Sequence, residues 1–318
     1  MIYRIMRIAI LATTGKYISV TLQSHLYADA LRKLGHTVHE LDIFEPMKRD
    51  DYDLKIFYPF HYWKWRFDER SILVGIADND KFRQDIIDSV CDLPYKKFVS
   101  ISNFTKEVFK DMPRNQVVYP CLNPAVKSYP IKQPKYDTLV IGTTMPYRRG
   151  TDIAFTALNM YNNIAPRKIS TLVIDHIYMP MPSEYMVQTA KQLPEGEHYR
   201  NMSSARTLIH PARGGGFEIP VLEFLGMGGT VIIPDAKPFN EIPIRREDAY
   251  YVPVLGKKEG EKILNWQGDQ YHIGKFYVID PYDVYDVLRE AVKAPLQIDT
   301  GKYFEKFSPM NIAKQLIA

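Results

Sequence analysis

The first clear signal along the chain is a short continuous apolar run, Ile8-Ala9-Ile10-Leu11-Ala12, closed by Thr13-Thr14-Gly15. An apolar run of that length with polar punctuation predicts a central parallel strand buried on both faces. Beyond it Leu22, Leu26, Ala30 and Leu34 recur at helical spacing and give one apolar stripe, and Gly35 stands where a helix end calls for positive φ. A second strand is predicted over 38–43, so the chain opens as a βαβ unit. The same grammar returns later. Thr138-Leu139-Val140-Ile141 predicts a strand, 142–150 a loop and 152–161 a helix. Between the two lies the polar stretch 127–135, which carries Pro130 and Pro134 without periodicity and is the candidate linker. Phe98-Val99-Ser100-Ile101-Ser102 predicts a further strand of the first half, with Asn103 or Thr105 capping a helix over 106–111. An α/β architecture of two Rossmann-like domains follows.

Length and composition agree with this reading. A chain of 318 residues suits two domains, and 46% hydrophobic with 25% charged side chains supplies two cores and excludes an unstructured tail. The balance of 41 Lys+Arg against 37 Asp+Glu lacks the basic excess of a dedicated nucleic-acid binder, so no nucleic-acid partner is expected. A phosphorylated small molecule or an anionic surface stays open. Cys91 and Cys121 form no CxxC, which argues against a disulfide framework or structural zinc and for a reducing, cytoplasmic compartment. Residues 1–12 have the basic and apolar flavour of a signal peptide but run straight into an amphipathic segment, and are read as the first buried strand. No stretch is apolar for long enough to span a bilayer.

In open parallel sheets ligands bind beyond the carboxyl ends of the strands. Three loops qualify. The first is Thr13-Thr14-Gly15-Lys16, where Gly15 permits close backbone approach, although a bare strand-to-helix turn explains it equally. The second, 142–150, holds Thr143 and the adjacent guanidiniums of Arg148 and Arg149, whose forks match phosphate oxygens; solvated surface is the competing reading. The third runs from His210 through Arg213-Gly214-Gly215-Gly216-Phe217-Glu218-Ile219 into a short predicted helix and, past Gly228-Gly229, a strand over 230–233. Glu223 falls inside that helix between apolar neighbours, and a carboxylate so placed needs a partner, which a sugar diol would supply.

This third segment resembles the donor-binding signature of family 4 glycosyltransferases of the GT-B fold, Pro-Ser-x-x-Glu-Gly-Phe-Gly-Leu-x-x-Leu-Glu-Ala-Met-Ala-x-Gly-x-Pro-Val-Ile. Pro211, Gly216, Phe217, Pro220, Leu222, Glu223, Gly228, Val231 and Ile232 fall in register. Weaker resemblances cover most of the chain: Leu34-Gly35-His36-Thr37-Val38, the step from Val99 to Thr105, Val117-Val118-Tyr119-Pro120, and a closing helix over 307–316. The resemblance implies an acceptor domain over 1–132, a nucleotide-sugar donor domain over 133–300 facing it across a cleft, and a last segment, 301–318, returning to the first domain. It implies transfer from a nucleoside-diphosphate sugar to a glycan, lipid or protein acceptor, with retention, with no metal or further cofactor, and with peripheral membrane contact left open. Glu223 would bind the ribose hydroxyls, and Arg149 the diphosphate with Arg148 and Thr143 beside it. Gly15, Arg213, Gly215, Gly216, Phe217 and Ile219 would complete the donor pocket.

Three departures bear on catalysis, and one is that the family's Arg just after the strand glycine is Thr143 here. The family's first glutamate is Gly215 here, leaving Glu218 as the nearby carboxylate; it either turns into the cleft or serves as a first-turn residue favoured by the helix dipole. The family's catalytic histidine has no clean match, so Asp78 or Asp80, in Val74-Gly75-Ile76-Ala77-Asp78-Asn79-Asp80, and His61, in the aromatic run 57–65, become the candidates, with surface loop and core as their plain alternatives. A noncatalytic nucleotide-sugar binder and a nucleotide-sugar epimerase of the same fold are the other readings.

Overall fold

The computed structural model describes all residues except 1–3, 14–17, 46, 48–49, 63–66, 79, 143–145, 175–183, 190–192 and 260–271. Its contacts divide the chain into two units, Met1–Asn123 with Gln270–Ile273 and Glu305–Ala318, and Pro124–Asp269 with Gly274–Phe304.

In the first unit the opening apolar run forms β1 (Arg7–Ala12), followed by α1 (Ile18–Lys33) and β2 (Thr37–Asp42). Then come β3 (Leu54–Tyr58), β4 (Ser71–Gly75), β5 (Lys81–Phe82), α2 (Gln84–Cys91), β6 (Lys97–Ser100), α3 (Asn103–Val108) and β7 (Asn115–Val117). Six strands pair in parallel in the order β2-β1-β3-β4-β6-β7. β3 and β4 are buried along their whole length, as central strands between covered faces should be, Lys55 and Ser71 included. Phe57 and Phe60 of the aromatic run lie in the core, where they pack with Phe67, Phe82, Phe98 and Phe109, with Phe60–Phe98 and Phe98–Phe109 ring centroids 5.1 Å apart.

Two local readings change. The buried residues of α1 are Gln23, Ser24, Tyr27, Ala28, Ala30 and Leu31, so of the predicted stripe Ala30 is buried while Leu22, Leu26 and Leu34 are only half-buried. The helix is rotated because Gln23 satisfies both its polar groups on the Cys121 backbone, donating from Nε2 at 2.9 Å and accepting at Oε1 at 2.7 Å. The cap of α3 is Ser102, whose Oγ accepts from Thr105 N at 3.0 Å, so the helix starts at Asn103, ahead of the predicted 106.

A cavity of about 350 Å³ beside β3 is lined by Met47, Asp50, Lys55, Phe67 and Asp68. Lys55, fully buried, bridges Asp50 at 3.0 Å and Asp68 at 2.6 Å, and Arg70 joins Asp68 at 2.6 Å, so the charges here satisfy one another. Burial alone would raise the Asp68 carboxyl, yet hydrogen bonds from Lys55 and Arg70 outweigh it and hold it at about 2. A depressed carboxylate contributes stability above its unfolded value and loses it as pH falls through the folded one. Asp68→Asn should therefore cost about 2 kcal/mol at neutral pH and flatten the loss between pH 4 and 2. A variant whose melting temperature follows the wild type across that range would reject this role.

The second unit contains β8 (Tyr136–Ile141), α4 (Pro146–Arg149), α5 (Thr151–Ile164), β9 (Thr171–Ile174), β10 (Met186–Thr189), α6 (Glu195–Ser203), β11 (Ala205–Ile209), α7 (Ile219–Gly226), β12 (Thr230–Pro234) and β13 (Tyr250–Val252). Its sheet is parallel throughout, in the order β10-β9-β8-β11-β12-β13. Beyond it lie β14 (Gly256–Glu259), β15 (His272–Ile273), β16 (Lys275–Val278), α8 (Pro281–Lys293), α9 (Thr300–Lys306) and α10 (Pro309–Ile317). β14 and β16 form an antiparallel pair in this unit, whereas β15 pairs with β5 in the first. α10 also belongs to the first unit, where it packs along α1 and its Gln315 carbonyl accepts from the Lys97 ammonium at 3.1 Å. The short α4 is new relative to the loop expected over 142–150. Among the described residues no helix is long and apolar enough to cross a membrane.

Candidate functional site

In the second sheet the chain lays down β8, β9 and β10 outward to one side, then returns to place β11, β12 and β13 on the other. The loops after β8 and β11 therefore flank the point where strand order reverses, the usual ligand position in such sheets. These two loops are tied together. Arg213 N donates to the Arg148 carbonyl at 2.8 Å. Gly150 has φ +69° and lies so close to the other loop that a Cβ there would stand 2.0 Å from the Pro211 carbonyl oxygen. Arg213 braces this junction: its guanidinium makes two 2.7 Å bonds to Asp152, one of 2.6 Å to the Tyr147 carbonyl, and stacks 4.0 Å over the Tyr147 ring.

The junction brings Arg148 and Arg149, at the end of α4, against Glu218, at the entry to α7. The Arg149 guanidinium is ion-paired with Glu218, Arg148 Nη1 is 3.9 Å from Glu218 Oε1, and His210 Nε2 is 3.1 Å from Glu218 Oε2, off the line of a good hydrogen bond. Side-chain exposure is 11% for Arg148 and 15% for Arg149, so the two guanidiniums are not solvated surface. Burial first, then the Arg149 and Arg148 charges, drive the His210 pKa well below its ordinary value and keep the ring neutral. Glu218 is 1% exposed and makes no side-chain bond to the amides of α7, so its carboxylate turns away from its own helix and into this cluster.

Glu223, on the buried face of α7, meets a protein partner: Tyr199 Oη on α6 donates to Oε1 at 2.6 Å. Burial raises this carboxyl, the Tyr199 bond partly offsets it, and the result is about 7.

Against known proteins, the chain is 26% identical over 92% of its length, and 88% of the other's, to "Putative glycosyltransferase 45" of Sulfolobus islandicus filamentous virus (isolate Iceland/Hveragerdi). A glycosyltransferase from Rickettsia africae ESF-5 superimposes with a TM-score of 0.64 at 12% identity, covering 98% of this chain and 97% of that one. A trehalose-6-phosphate structure from E. coli bound with UDP-2-fluoro glucose superimposes at 0.60 and 10% identity, covering 98% of each chain. The fold is that of the GT-B glycosyltransferases. No protein-family model matches the chain. By sequence and by fold it is glycosyltransferase-like, and the α/β GT-B expectation is met.

Within this GT-B chain the remaining candidates fall as follows. Gly215, Gly216 and Phe217 are buried in the loop before α7, and Ile219 opens that helix half-buried. Thr143 and Gly15 lie outside the described residues. His61 and Asp78 belong to the first unit, on the loops after β3 and β4. His61 is 6% exposed, its ring edge-on to Phe60 at 5.7 Å and tilted on Phe82 at 5.3 Å, so it packs with the aromatic core. Asp78 is half-buried. Two residues carried no assignment from sequence, His210 and Tyr199. His210 directly follows β11, a position that itself marks the carboxyl end of a parallel strand; Tyr199 sits in α6 with no local pattern linking it to Glu223.

Proposed function

We propose that the protein is a glycosyltransferase that moves a sugar from a nucleoside-diphosphate sugar to the hydroxyl of a glycan, lipid or protein acceptor. The observation that carries the reading is the pair of largely buried guanidiniums, Arg148 and Arg149, at the switch point of a sheet in a GT-B fold. Transfer breaks the bond between the anomeric carbon and the diphosphate oxygen, forms one from that carbon to the acceptor oxygen, and releases the acceptor proton. Negative charge develops on the departing diphosphate, and fixed guanidiniums there stabilise it without a metal. The family 4 resemblance supports retention of configuration and assigns Glu223 to the ribose hydroxyls. Free thiols at Cys91 and Cys121 suit a reducing, cytoplasmic setting, with an acceptor at a membrane surface equally accommodated.

The glycine at 215 favours a second reading, a nucleotide-sugar binder without turnover. A panel of UDP-, GDP- and ADP-sugars separates the two. The transferase reading expects one donor to raise the melting temperature and to release its nucleoside diphosphate with an acceptor present, unaffected by EDTA. A melting shift without release leaves the binder; no shift with any donor rejects both, and loss of turnover in EDTA restored by Mg²⁺ rejects the metal-free route.

A further inference from the structure

A carboxylate that is 1% exposed is costly to desolvate, far beyond the few tenths of a kcal/mol that a helix dipole returns, so the burial of Glu218 demands a cationic partner. It has two: Arg149 in contact and Arg148 with Nη1 at 3.9 Å. Among the described side chains of the cluster, Glu218 is the anion that the Arg148 and Arg149 guanidiniums share. The carboxylate also needs the space over residue 215. A Cβ built on Gly215 would lie 2.0 Å from Glu218 Oε1, closer than real contacts come, so a side chain there would require the carboxylate to shift.

We propose that Glu218 is a positioning residue, a built-in counter-anion that pairs with Arg149 and Arg148 in the free protein and gives them up to an incoming diphosphate, and that Gly215 is bare so that it can. The diphosphate in this statement rests on the donor reading above. Glu218 thus acts through the arginines rather than on the sugar. The glycine in place of an acidic side chain at 215 is then not a loss but the steric counterpart of the acid three positions on. Because Glu218 and the ligand compete for the same guanidiniums, removing its charge should strengthen anion binding, which a purely structural role would not do.

The test is calorimetric titration of inorganic pyrophosphate and of UDP, GDP and ADP into the full chain and into Glu218→Gln, with melting temperatures recorded for each. The expected result is pyrophosphate affinity about tenfold tighter in Glu218→Gln, a steeper salt dependence and a lower melting temperature without ligand. Gly215→Ala, which pushes the same carboxylate from its seat, should reproduce the gain, and the double variant should add nothing to it; this variant also serves if Glu218→Gln is too unstable to titrate. Unchanged or weaker pyrophosphate affinity in both variants, with wild-type binding intact, overturns the counter-anion role while leaving the donor reading in place. Binding of pyrophosphate or of a nucleoside diphosphate by neither the wild type nor the variants overturns both.

Discussion

Glu223→Gln should make the protein more stable above neutral pH and at the same time weaken its hold on a nucleotide. The carboxyl is 4% exposed on α7, and burial lifts it from 4.5 to about 7 in spite of the Tyr199 hydrogen bond. A carboxyl whose folded value is raised gives its full contribution below the unfolded value and loses it as pH rises through the folded one. The wild type therefore loses stability from about pH 4.5 to 7, and by pH 8 the ionised group costs on the order of 3 kcal/mol. Glutamine keeps the size and still accepts from Tyr199 but never ionises, so its stability should be flat over that window and higher at pH 8. In the transferase reading the same charge receives the ribose hydroxyls, and its loss should weaken nucleoside-diphosphate binding by about 1–3 kcal/mol. Such opposed effects are the usual mark of a functional group kept against stability. Thermal unfolding from pH 4 to 8.5 checks the first half: parallel curves for variant and wild type would remove the claim that burial raises the Glu223 carboxyl. Calorimetry checks the second, where an unchanged affinity would leave Glu223 as a partner of Tyr199 and nothing more.

How far the sequence shows this molecule depends on whether a feature is made by neighbours in the chain. β1 and β8 are legible because a strand buried on both faces must be an unbroken apolar run, and Gly35, at φ +92°, is legible because few residues besides glycine adopt that conformation. The segment from β11 through α7 to β12 is legible for the same reason: glycine, helix and β-branched strand follow one another directly. The rotation of α1 is not, since Gln23 turns inward only because the Cys121 backbone waits there. α4 has four residues, too few for any period to register. At the site, Arg148, Arg149 and Glu218 each stand out in sequence, but their pairing is tertiary, set by the bond from Arg213 to the Arg148 carbonyl and by the close pass of Gly150 to Pro211. For the same reason the hold of Asp152, in the first turn of α5, on the Arg213 guanidinium is not legible in the sequence.

Arg149→Ala should lower turnover by about a hundredfold, the usual loss when one fixed donor is removed from a developing negative charge, and Arg148→Ala by clearly less. The difference follows from position: Arg149 is the guanidinium in contact with Glu218, while Arg148 Nη1 stands 3.9 Å away and also donates to the Gly214 carbonyl at 3.4 Å. Alanine at 149 has a second consequence, because it strips the contacting cation from a buried carboxylate, a change that costs a few kcal/mol of stability. Arg149→Lys separates the two effects. Lysine restores the charge that Glu218 needs but not the planar fork that holds two phosphate oxygens at once, so the melting temperature should recover while kcat stays depressed. The measurements are kcat and melting temperature for all three variants on the donor identified by the panel, at a temperature where each is folded. Equal small losses for Arg148→Ala and Arg149→Ala would mean that neither guanidinium meets the diphosphate. Full recovery of kcat in Arg149→Lys would reduce Arg149 to a structural partner of Glu218, and the charge of the α4 end, rather than its geometry, would then be what the reaction uses.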